Sequence, residues 1–552
     1  MSLVSPDRDG YVSISALSIF FSYIVQLNDP GRAVKMWTDT LELTLDRQYP
    51  TFFFMPNSEK SIAEEIFNLR DTERIANILV AEYNNSTDWP VLLFTNNFRQ
   101  SVGTLGRNGK IFLDRWNAER RFENDENLFP NKLQDLGGKE FRVMAFTYLP
   151  YVNIDPLDGI EVRVTMEFCK KLNCTLQIVD DGGLWGSIQG NGSGDGLVGM
   201  VYKDEADIGV GGSYLWLENH FYTDFSSTYL YAAATLLVPK PKPLSGWRVP
   251  FLPFSWPMWF IIILSILMAA LLMYIITALL KKIPRFTQEV KRKKQFVTYT
   301  DSFFRVLGMA VMQQPTQSLV QNSPLKHLLT AFEFFFLIIT VYYSAGLSSF
   351  LTVPQLMIPI DTFHQLAASN LKWIANHEAW IYSIQHVDDP EVQTVVKNFR
   401  IMTGQTLIEK AQTGKYGVGI ERLPAGHFVE LPHITETIID KSHVMKENLF
   451  GSPLTFIMRK GSPYLENFNK IVNNLVDSGI LLFWEAEVAR RFLTTRKQIA
   501  LSLARSSHLK SGPKILTLGH IQGAFIVYGT GMILATIIFV VELRKAKNKM
   551  NK

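Results

Sequence analysis

Three stretches of this chain are long and apolar enough to cross a lipid bilayer as helices. Residues 257–280 carry no charged side chain, residues 328–353 carry only Glu333, and residues 515–541 have His520 as the single residue that can become charged near neutral pH. A helix needs about 20 mostly apolar residues to span the hydrocarbon core. A buried core helix is the alternative for each stretch, but these runs exceed the usual length of helices in globular domains. The pattern therefore predicts three transmembrane helices.

A shorter uncharged run occupies residues 11–27, near the start of the chain. Its length suits the apolar core of a secretory signal sequence, but Asp7 and Asp9 precede it where such signals carry basic residues. A buried strand or helix explains the run equally well, so both interpretations stay open. The remainder of residues 1–138 gives no indication of function.

Basic residues concentrate directly after two of the predicted spans. One cluster occupies residues 281–294, and the other occupies residues 542–552 at the C-terminus. Basic clusters also occur in nucleic-acid-binding proteins. Their position beside apolar runs is better explained by the preference of Lys and Arg for the cytoplasmic side of a membrane. We therefore predict a multi-pass protein with a cytoplasmic tail at 542–552 and no nucleic-acid partner.

The segment 299–316 lies between the first and second predicted spans, and this orientation places it on the cytoplasmic side. It is moderately apolar and ends near Met312-Gln313-Gln314-Pro315. Non-helical backbone is tolerated at membrane depth where it lines water, so a re-entrant pore loop fits this segment. A cytoplasmic amphipathic helix is the alternative. The same orientation places residues 139–245 and 355–514 outside the cell.

Both outer pieces show the alternation of strands and helices that is typical of α/β domains. A β-like run at 141–146 is followed by apolar residues at helical spacing across 158–173, and then by a second β-like run at 175–179. In the later piece, residues 415–420 predict a strand and residues 463–491 predict helices. Each piece is therefore predicted to be α/β.

Composition and motifs favour neither an enzyme nor a metal site. Hydrophobic residues make up 47% of the chain and charged residues 19%, which suits a protein that is partly embedded in lipid. His377-Glu378 lacks the second His of a zinc protease, and no nucleophile elbow is present. The two cysteines, Cys169 and Cys174, either pair or remain free, without a zinc-type Cys/His set. We predict no catalytic residue, no cofactor and no metal.

Four glycosylation sequons precede the first predicted span. They lie at Asn84, Asn85, Asn173 and Asn191. Such sequences also arise by chance, so they give only weak support to an extracellular N-terminal half.

The order of these segments resembles the ionotropic glutamate receptors, in which a two-lobed ligand-binding domain is interrupted by a pore unit. The run Ser344-Ala345-Gly346-Leu347-Ser348-Ser349-Phe350-Leu351-Thr352-Val353 resembles the gate signature Thr-Ala-Asn-Leu-Ala-Ala-Phe-Leu-Thr-Val of that family. Leu307-Gly308 and Met312-Gln313-Gln314 resemble its pore-loop motif, with one extra residue between them. Weaker matches follow the family order at Pro150-Tyr151-Val152, Ala206-Asp207, Asp224-Phe225-Ser226 and Gly519 to Glu542. The resemblance covers roughly residues 139–545.

In two departures from the glutamate receptor pattern, this chain resembles the insect ionotropic receptors, the divergent chemosensory branch of that family. The roughly 138-residue N-terminal region is far too short for the family's large amino-terminal domain, and the cysteine pair typical of the second extracellular lobe is absent. The resemblance implies a multi-domain membrane protein. Its periplasmic-binding-protein-like α/β domain would be interrupted by an α-helical pore unit of three transmembrane helices and a re-entrant pore loop. It also implies a hetero-tetramer with co-receptor subunits in the plasma membrane.

The third departure concerns the positions that clamp the ligand in the resembling family. The Arg that holds a glutamate carboxylate aligns with Asn219, and a neighbouring clamp position holds Tyr214, while Tyr151 lies within an earlier motif match. An Asn cannot form an ion pair with a carboxylate, so we do not expect glutamate as the ligand. Asn219 and Tyr214 either line the cleft or serve the scaffold. Glu421 aligns with the acid that meets the ligand's ammonium, and it either receives a cation or is an ordinary solvated carboxylate. We hypothesise that the ligand is an amine or another small molecule without a carboxylate.

The pore residues that the resemblance implies favour cation flow. Gln313 would stand at the loop tip beside Gln314, and amide dipoles without fixed positive charge let cations pass; a plain polar turn is the alternative. The gate residues that the resemblance implies are Ser344, Ala345, Leu347, Ser348 and Phe350. We therefore predict a chemosensory, ligand-gated cation-channel subunit for odorants or tastants, opened when two lobes close on the ligand. A non-conducting subunit, or a temperature or humidity sensor on the same fold, is the alternative.

Overall fold

The chain leaves one compact unit, forms a second unit in the middle of its length, and then returns to the first. In the computed structural model, the first unit comprises Met1–Lys240 and Ile360–Ser507, and the second comprises Pro241–Pro359 and His508–Lys552. The second unit is therefore largely an insertion into the first. The structure describes residues 22–25, 51–55, 62–69, 72, 75–84, 88–99, 109–189, 193–242, 244, 246–283, 298–313, 323–352, 356–506 and 518–550.

The N-terminal region carries a six-stranded sheet whose strands follow chain order. They are β1 (Ser22–Val25), β2 (Thr51–Phe54), β3 (Asn77–Tyr83), β4 (Val91–Asn96), β5 (Lys110–Asn117) and β6 (Arg121–Phe122). The first three strands run parallel and the others antiparallel. Helix α1 (Ala63–Phe67) covers one face, because Phe52 and Phe54 alternate inward along β2 and pack with Ile66. Within the predicted apolar run 11–27, the structure describes only β1, which is a strand.

A five-stranded sheet forms the first of two further lobes in the same unit. Its strands, in spatial order, are β10 (Thr223–Phe225), β17 (Ile457–Arg459), β9 (Ile208–Val210), β7 (Glu140–Ala145) and β8 (Thr175–Val179). Helix α2 (Ile160–Leu172) connects the parallel strands β7 and β8, and its Phe168 packs on Phe141 of β7. Cys169 and Cys174 form a disulfide at the end of α2, so of the two alternatives the cysteines pair. The other helices of this lobe are α3 (Gly196–Tyr202), α12 (Leu465–Asp477) and α13 (Ile480–Phe492).

A six-stranded sheet forms the second lobe. Its strands are β13 (Phe399–Ile401), β12 (Trp373–Ala375), β14 (Gly417–Arg422), β11 (Leu230–Pro239) and β15 (Ser442–Val444) in spatial order, with β16 (Phe450–Leu454) also paired to β11. Its helices are α7 (Phe363–Ser369), α8 (Ala379–Tyr382), α9 (Pro390–Lys397), α10 (Gly404–Gln412), α11 (Glu436–Lys441) and α14 (Thr495–Ser506). Strand β11 precedes the insertion and β17 follows it, so each outer piece of the chain contributes a strand to the opposite lobe. The pieces 139–245 and 355–514 therefore do not correspond to one lobe each.

The second unit contains three helices that are long and apolar enough to cross a membrane, spanning Trp256–Leu280, Lys326–Thr352 and Gln522–Arg544. They overlap the predicted spans, of which residues 353 and 515–517 lie outside the described part of the chain. Pro257 stands in the first turn of the first helix, where its missing N–H costs no hydrogen bond. The full helices are α4 (Trp256–Leu280), α5 (Tyr299–Ala310), α6 (Ser323–Thr352) and α15 (Leu518–Met550), preceded by a 3₁₀ turn at Gly246–Phe251.

The predicted pore loop 299–316 begins as a helix. Thr298 caps α5 by accepting a hydrogen bond from the Asp301 amide, and the helix ends at Ala310. The backbone then turns, with the Gln313 amide donating to the Gly308 carbonyl at 2.8 Å. Residues 314–316, including Gln314, lie outside the described residues. Helices α4, α5 and α6 share a small apolar core around Ala270, Val306 and Phe336.

Candidate functional site

Glu421 lies at the boundary between the two lobes and is enclosed by protein. It belongs to β14 of the second lobe and is only 2% exposed. Two phenols of the first lobe donate to it, Tyr148 to Oε2 and Tyr151 to Oε1, both at 2.6 Å. These bonds exist only because the lobes are close together. The structure excludes an ordinary solvated carboxylate at this position.

The electrostatic surroundings of Glu421 are phenolic rather than basic. Burial raises the pKa of Glu421, while the nearby hydroxyls of Tyr148, Tyr151 and Tyr214 lower it in part. The Tyr214 hydroxyl faces the carboxylate without the geometry of a hydrogen bond, so among the described residues it has no bonded partner. None of these partners is a lysine, arginine or histidine. A negative charge on Glu421 is therefore stabilised by hydroxyl dipoles and has no countercharge among them.

A second buried carboxylate, Glu161, lies close to the first. It stands in the first turn of α2, where it accepts the Gly212 amide at 3.1 Å and the hydroxyl of Tyr229. Burial raises the pKa of Glu161 to about 7, and the charge of Glu421 adds to the increase. Gly212 has φ +68°, and a Cβ there would lie 2.9 Å from the Tyr151 ring, so this turn requires glycine. Glu161 thus fixes the backbone beside the Glu421 phenols.

A narrow cavity lies beside Glu421, between the two lobes. Its walls are mainly aromatic, and the described residues that line it include one carboxylate and no lysine, arginine or histidine. Its volume of about 20 Å³ leaves room for a water molecule, so an organic ligand requires the lobes to move further apart. The lining residues are Tyr148, Trp185, Gly212, Tyr214, Trp216, Ala234, Ala379, Trp380, Glu421 and Phe450.

Further contacts between the lobes close the cleft around this cavity. The Trp185 ring of the first lobe lies 5.6 Å from the His377 ring of the second, where burial lowers the pKa of His377. The Trp216 ring likewise packs edge-on against Tyr382 at 5.4 Å. At the surface, the Glu218 carboxylate of the first lobe contacts Gln385 and His386 of the second. The structure is therefore that of a closed clamshell.

The structure brings three of the four predicted ligand-binding residues together. Tyr214 and Glu421 line the cavity. Tyr151 is not among the lining residues, but its hydroxyl donates to Glu421. Asn219 lies on the 3₁₀ helix Leu217–Phe221 and is not among the lining residues; its Nδ2 is buried without a partner in the described part of the chain.

Sequence reasoning missed several residues of this site. They are Tyr148, Glu161, Trp185, Trp216 and Trp380. The three tryptophans come from separate loops and a short helix, so no periodic pattern connects them. Tyr148 lies three residues before Tyr151, which belongs to a motif that resembles the family, and this proximity is the signal that could have indicated Tyr148.

The predicted gate residues all lie on α6, and a polar stripe includes two of them. Thr330, Glu333, Thr340, Ser344 and Ser348 recur at intervals of three, four or seven residues, which places them on one helix face. Glu333, Ser344 and Ser348 are exposed in the isolated chain. The remaining predicted residues are Ala345, which is exposed, and Leu347 and Phe350, which are half-buried. Gln313 is exposed at the end of the turn after α5.

Two of the four sequons fall on described residues. Asn84 follows β3, and its Nδ2 donates to the Trp89 carbonyl. Asn173 follows α2 with φ 55°, and its Nδ2 donates to Asp135 at 2.9 Å. Asn85 and Asn191 lie outside the described residues.

Comparison with known proteins gives matches over most of the chain. A family model described as "Ligand-gated ion channel" matches residues 255–532. "Ionotropic receptor 21a" of Anopheles gambiae is 23% identical over 88% of this chain and 52% of its own length. The protein of the same name from Drosophila melanogaster is 20% identical over 95% and 63%. "Glutamate receptor ionotropic, delta-1" of Homo sapiens is 22% identical over 71% and 39%. The chain thus spans about half the length of the first of these relatives.

Proposed function

The chain belongs to the ligand-gated ion channel family as a divergent ionotropic receptor, and from this premise we propose that it is a cation-channel subunit opened by a small amine. The amine would bind between the two lobes and hold them closed. We propose further that the lobes face the outside of the plasma membrane, and that the subunit assembles into a hetero-tetramer with co-receptor subunits. Odorants or tastants are the proposed source of the ligand, and the sequons would be glycosylated.

One observation carries the ligand assignment. Glu421 is a buried carboxylate without a basic partner among its hydrogen-bonding neighbours, and aromatic rings surround the cavity beside it. Aromatic faces attract ammonium groups, most strongly where water is excluded. Among the described lining residues, no lysine or arginine is offered to a ligand carboxylate. A carboxylate-free amine therefore fits this cavity better than an amino acid does.

The two lobes would share the work of binding. The carboxylate of Glu421 belongs to the second lobe, whereas Tyr148 and Trp185 belong to the first. A cation that contacts both sets has its highest affinity when the lobes have closed as far as its size allows, and such differential affinity shifts the conformational equilibrium. Lobe closure would then pull on residues 241–255, which lead into α4, and on residues 353–359, which follow α6.

The second unit would supply the ion path. Gln313 and Gln314 would line its narrowest part with neutral amides, which permits sodium and potassium to pass. Ser344, Ala345, Leu347, Ser348 and Phe350 would form the gate, because small residues allow close approach of helices from several subunits.

Current recording from the full chain expressed with a co-receptor tests this proposal. Replacing Glu421 with Gln keeps an acceptor for the phenols but removes the charge. We expect the half-activating concentration of an alkylamine to rise about a hundredfold, as for the loss of a buried charge pair. Glu485→Gln is the matched control, because Glu485 is equally buried but bonds His427 away from the cavity. An unchanged amine response in Glu421→Gln channels at the cell surface would refute the ligand assignment.

One observation supports a second candidate, a receptor that closes without a ligand. Tyr148 and Tyr151 already occupy both oxygens of Glu421, so the closed clamshell satisfies its own buried carboxylate. Temperature or humidity could then act on the closing equilibrium directly. Currents that respond to temperature in the absence of amine, and persist in Glu421→Gln, would favour this candidate. In either case Gln313→Arg should reduce cation permeation, and a current unaffected by that change would place the ion path elsewhere.

A further inference from the structure

Three tryptophans line the cavity, and their indole N–H groups differ in one respect. The Nε1–H of Trp185 donates to the Gly211 carbonyl at 2.9 Å, and that of Trp380 donates to the Asn376 side chain at 3.1 Å. Trp216 is only 4% exposed, yet its Nε1–H has no acceptor among the described residues. One of three indole donors is therefore left without an acceptor among the described residues at a buried wall of the site.

An unpaired indole is not explained by packing. The Trp216 ring contacts Tyr214 and Tyr382 through its apolar faces and edges, and a phenylalanine would make similar contacts without a polar atom. An indole N–H can only donate, and burying a donor without an acceptor destabilises the folded protein. Sites that hydrogen-bond part of a ligand commonly contain such a group, which becomes paired only when the ligand is present.

We propose that Trp216 is a second recognition point, which donates a hydrogen bond to a neutral oxygen of the ligand whose ammonium lies at Glu421. The ligand class is then the amino alcohols and amino ethers rather than plain alkylamines. The oxygen is neutral because a carboxylate would meet the negative charge of Glu421 and, within the part of the wall that the structure describes, no basic side chain. This assignment rests on the proposed amine site and adds a requirement at the opposite end of the ligand.

Binding of three matched amines to the purified full-length chain in detergent tests the assignment. Butylamine, methoxyethylamine and propanolamine have the same number of non-hydrogen atoms and are protonated at neutral pH, but only the last two carry an oxygen. We expect both oxygen-bearing amines to bind about tenfold more tightly than butylamine, measured by ligand-induced thermal stabilisation. In an apolar cavity without the indole donor, burial of the extra methylene would favour butylamine instead.

Two variants separate the role of Trp216 from general packing. Trp216→Phe should abolish the preference for an oxygen, whereas Trp380→Phe, which removes a donor already bonded to Asn376, should keep it. Equal affinities for all three amines in the unmodified chain would overturn the assignment, even if Trp216→Phe failed to fold. A preference that survives Trp216→Phe would overturn it too. In both cases amine binding itself would stand, so the proposed function would survive. Failure of all three amines to bind a folded chain would refute the amine proposal and this inference together.

Discussion

The two units of this chain place their polar groups in opposite ways. In the first unit (Met1–Lys240 and Ile360–Ser507), which contains the two lobes and is called the clamshell unit here, Glu161 and Glu421 are buried and meet hydroxyls or backbone amides of the same unit. In the membrane unit, Glu333, Ser344 and Ser348 lie on the exposed surface of α6, beside apolar residues such as Phe334, which is 65% exposed. The clamshell unit thus pairs these two carboxylates with its own groups. The membrane unit presents polar and apolar faces that need water, lipid or other subunits to complete them.

This contrast predicts which property a substitution in each unit should change. A change in the clamshell network leaves a partner unpaired inside the same chain, so its first effect is on folding and lobe closure. A change at Glu333, Ser344 or Ser348 on α6 leaves no side-chain partner unpaired among the described residues. Its effect should appear only in the assembled channel.

The largest expected effect is that of removing the Glu161 carboxylate. Glu161→Ala would leave the Gly212 amide and the Tyr229 hydroxyl without their acceptor and open a cavity at a fully buried position. We expect a loss of about 4 kcal/mol in the unfolding free energy of the clamshell, measured by thermal melting of the purified chain. Glu161→Gln keeps one acceptor oxygen and should lose about 1 kcal/mol. If the Ala variant melts like the unmodified chain, the clamshell does not depend on its internal network.

The pH dependence of stability should reveal the same carboxylate. The pKa of Glu161 is about 7 in the folded protein and 4.5 in its ordinary state, so the folded form holds the proton more tightly. The contribution of Glu161 to the free energy of unfolding is therefore greatest below pH 4.5. It declines by roughly 3 kcal/mol as the pH rises to about 7. Melting curves of the unmodified chain and Glu161→Gln, compared across this range, isolate the contribution. Parallel curves would show that Glu161 does not titrate with folding.

Lys132 provides a control for that experiment, because its dependence lies in a different pH window. Its Nζ is held by the Ala76 carbonyl, Thr95 and Asn96, and burial lowers its pKa from 10.5 to about 7. Between pH 7 and pH 10.5, Lys132 is protonated in the unfolded chain but not in the folded one. The free energy of unfolding should therefore rise with pH above 7. Lys132→Met should remove this rise and leave the decline below pH 7 unchanged.

A smaller effect is expected for Glu333, in the membrane unit. If the polar stripe of α6 faces the ion path, Glu333→Gln should reduce single-channel cation conductance about twofold, because a fixed negative charge concentrates cations nearby. Phe334→Leu, on a different face of the same turn, should leave conductance unchanged. Equal conductance in Glu333→Gln and unmodified channels would indicate that this face meets lipid or another subunit instead of water.

The sequence predicted the membrane unit better than the ligand site, for a physical reason. A helix that meets lipid needs an unbroken apolar run, and the three candidate spans overlap the predicted ones, although α15 continues to Met550, past the predicted end at residue 541. Strand and helix periodicity likewise predicted β7, α2 and β8. The cavity depends on tertiary contacts between segments that are distant in the chain, and the periodicity of the sequence does not reveal such contacts. Glu161 has the pattern of an ordinary acid in the first turn of a helix. Only the approach of Gly212 and Tyr229 shows its role.

The smallest expected effect concerns the contact of Glu218 with Gln385 and His386 across the cleft mouth. It joins the two lobes, so it should favour closure, but the Glu218 side chain is 57% exposed and such pairs contribute little. Glu218→Gln should raise the half-activating ligand concentration about twofold, and high salt should remove the difference. Glu436→Gln is the matched control, because its exposed pair with Arg496 lies within the second lobe. Equal shifts in both variants would show that surface charge, not lobe closure, is responsible.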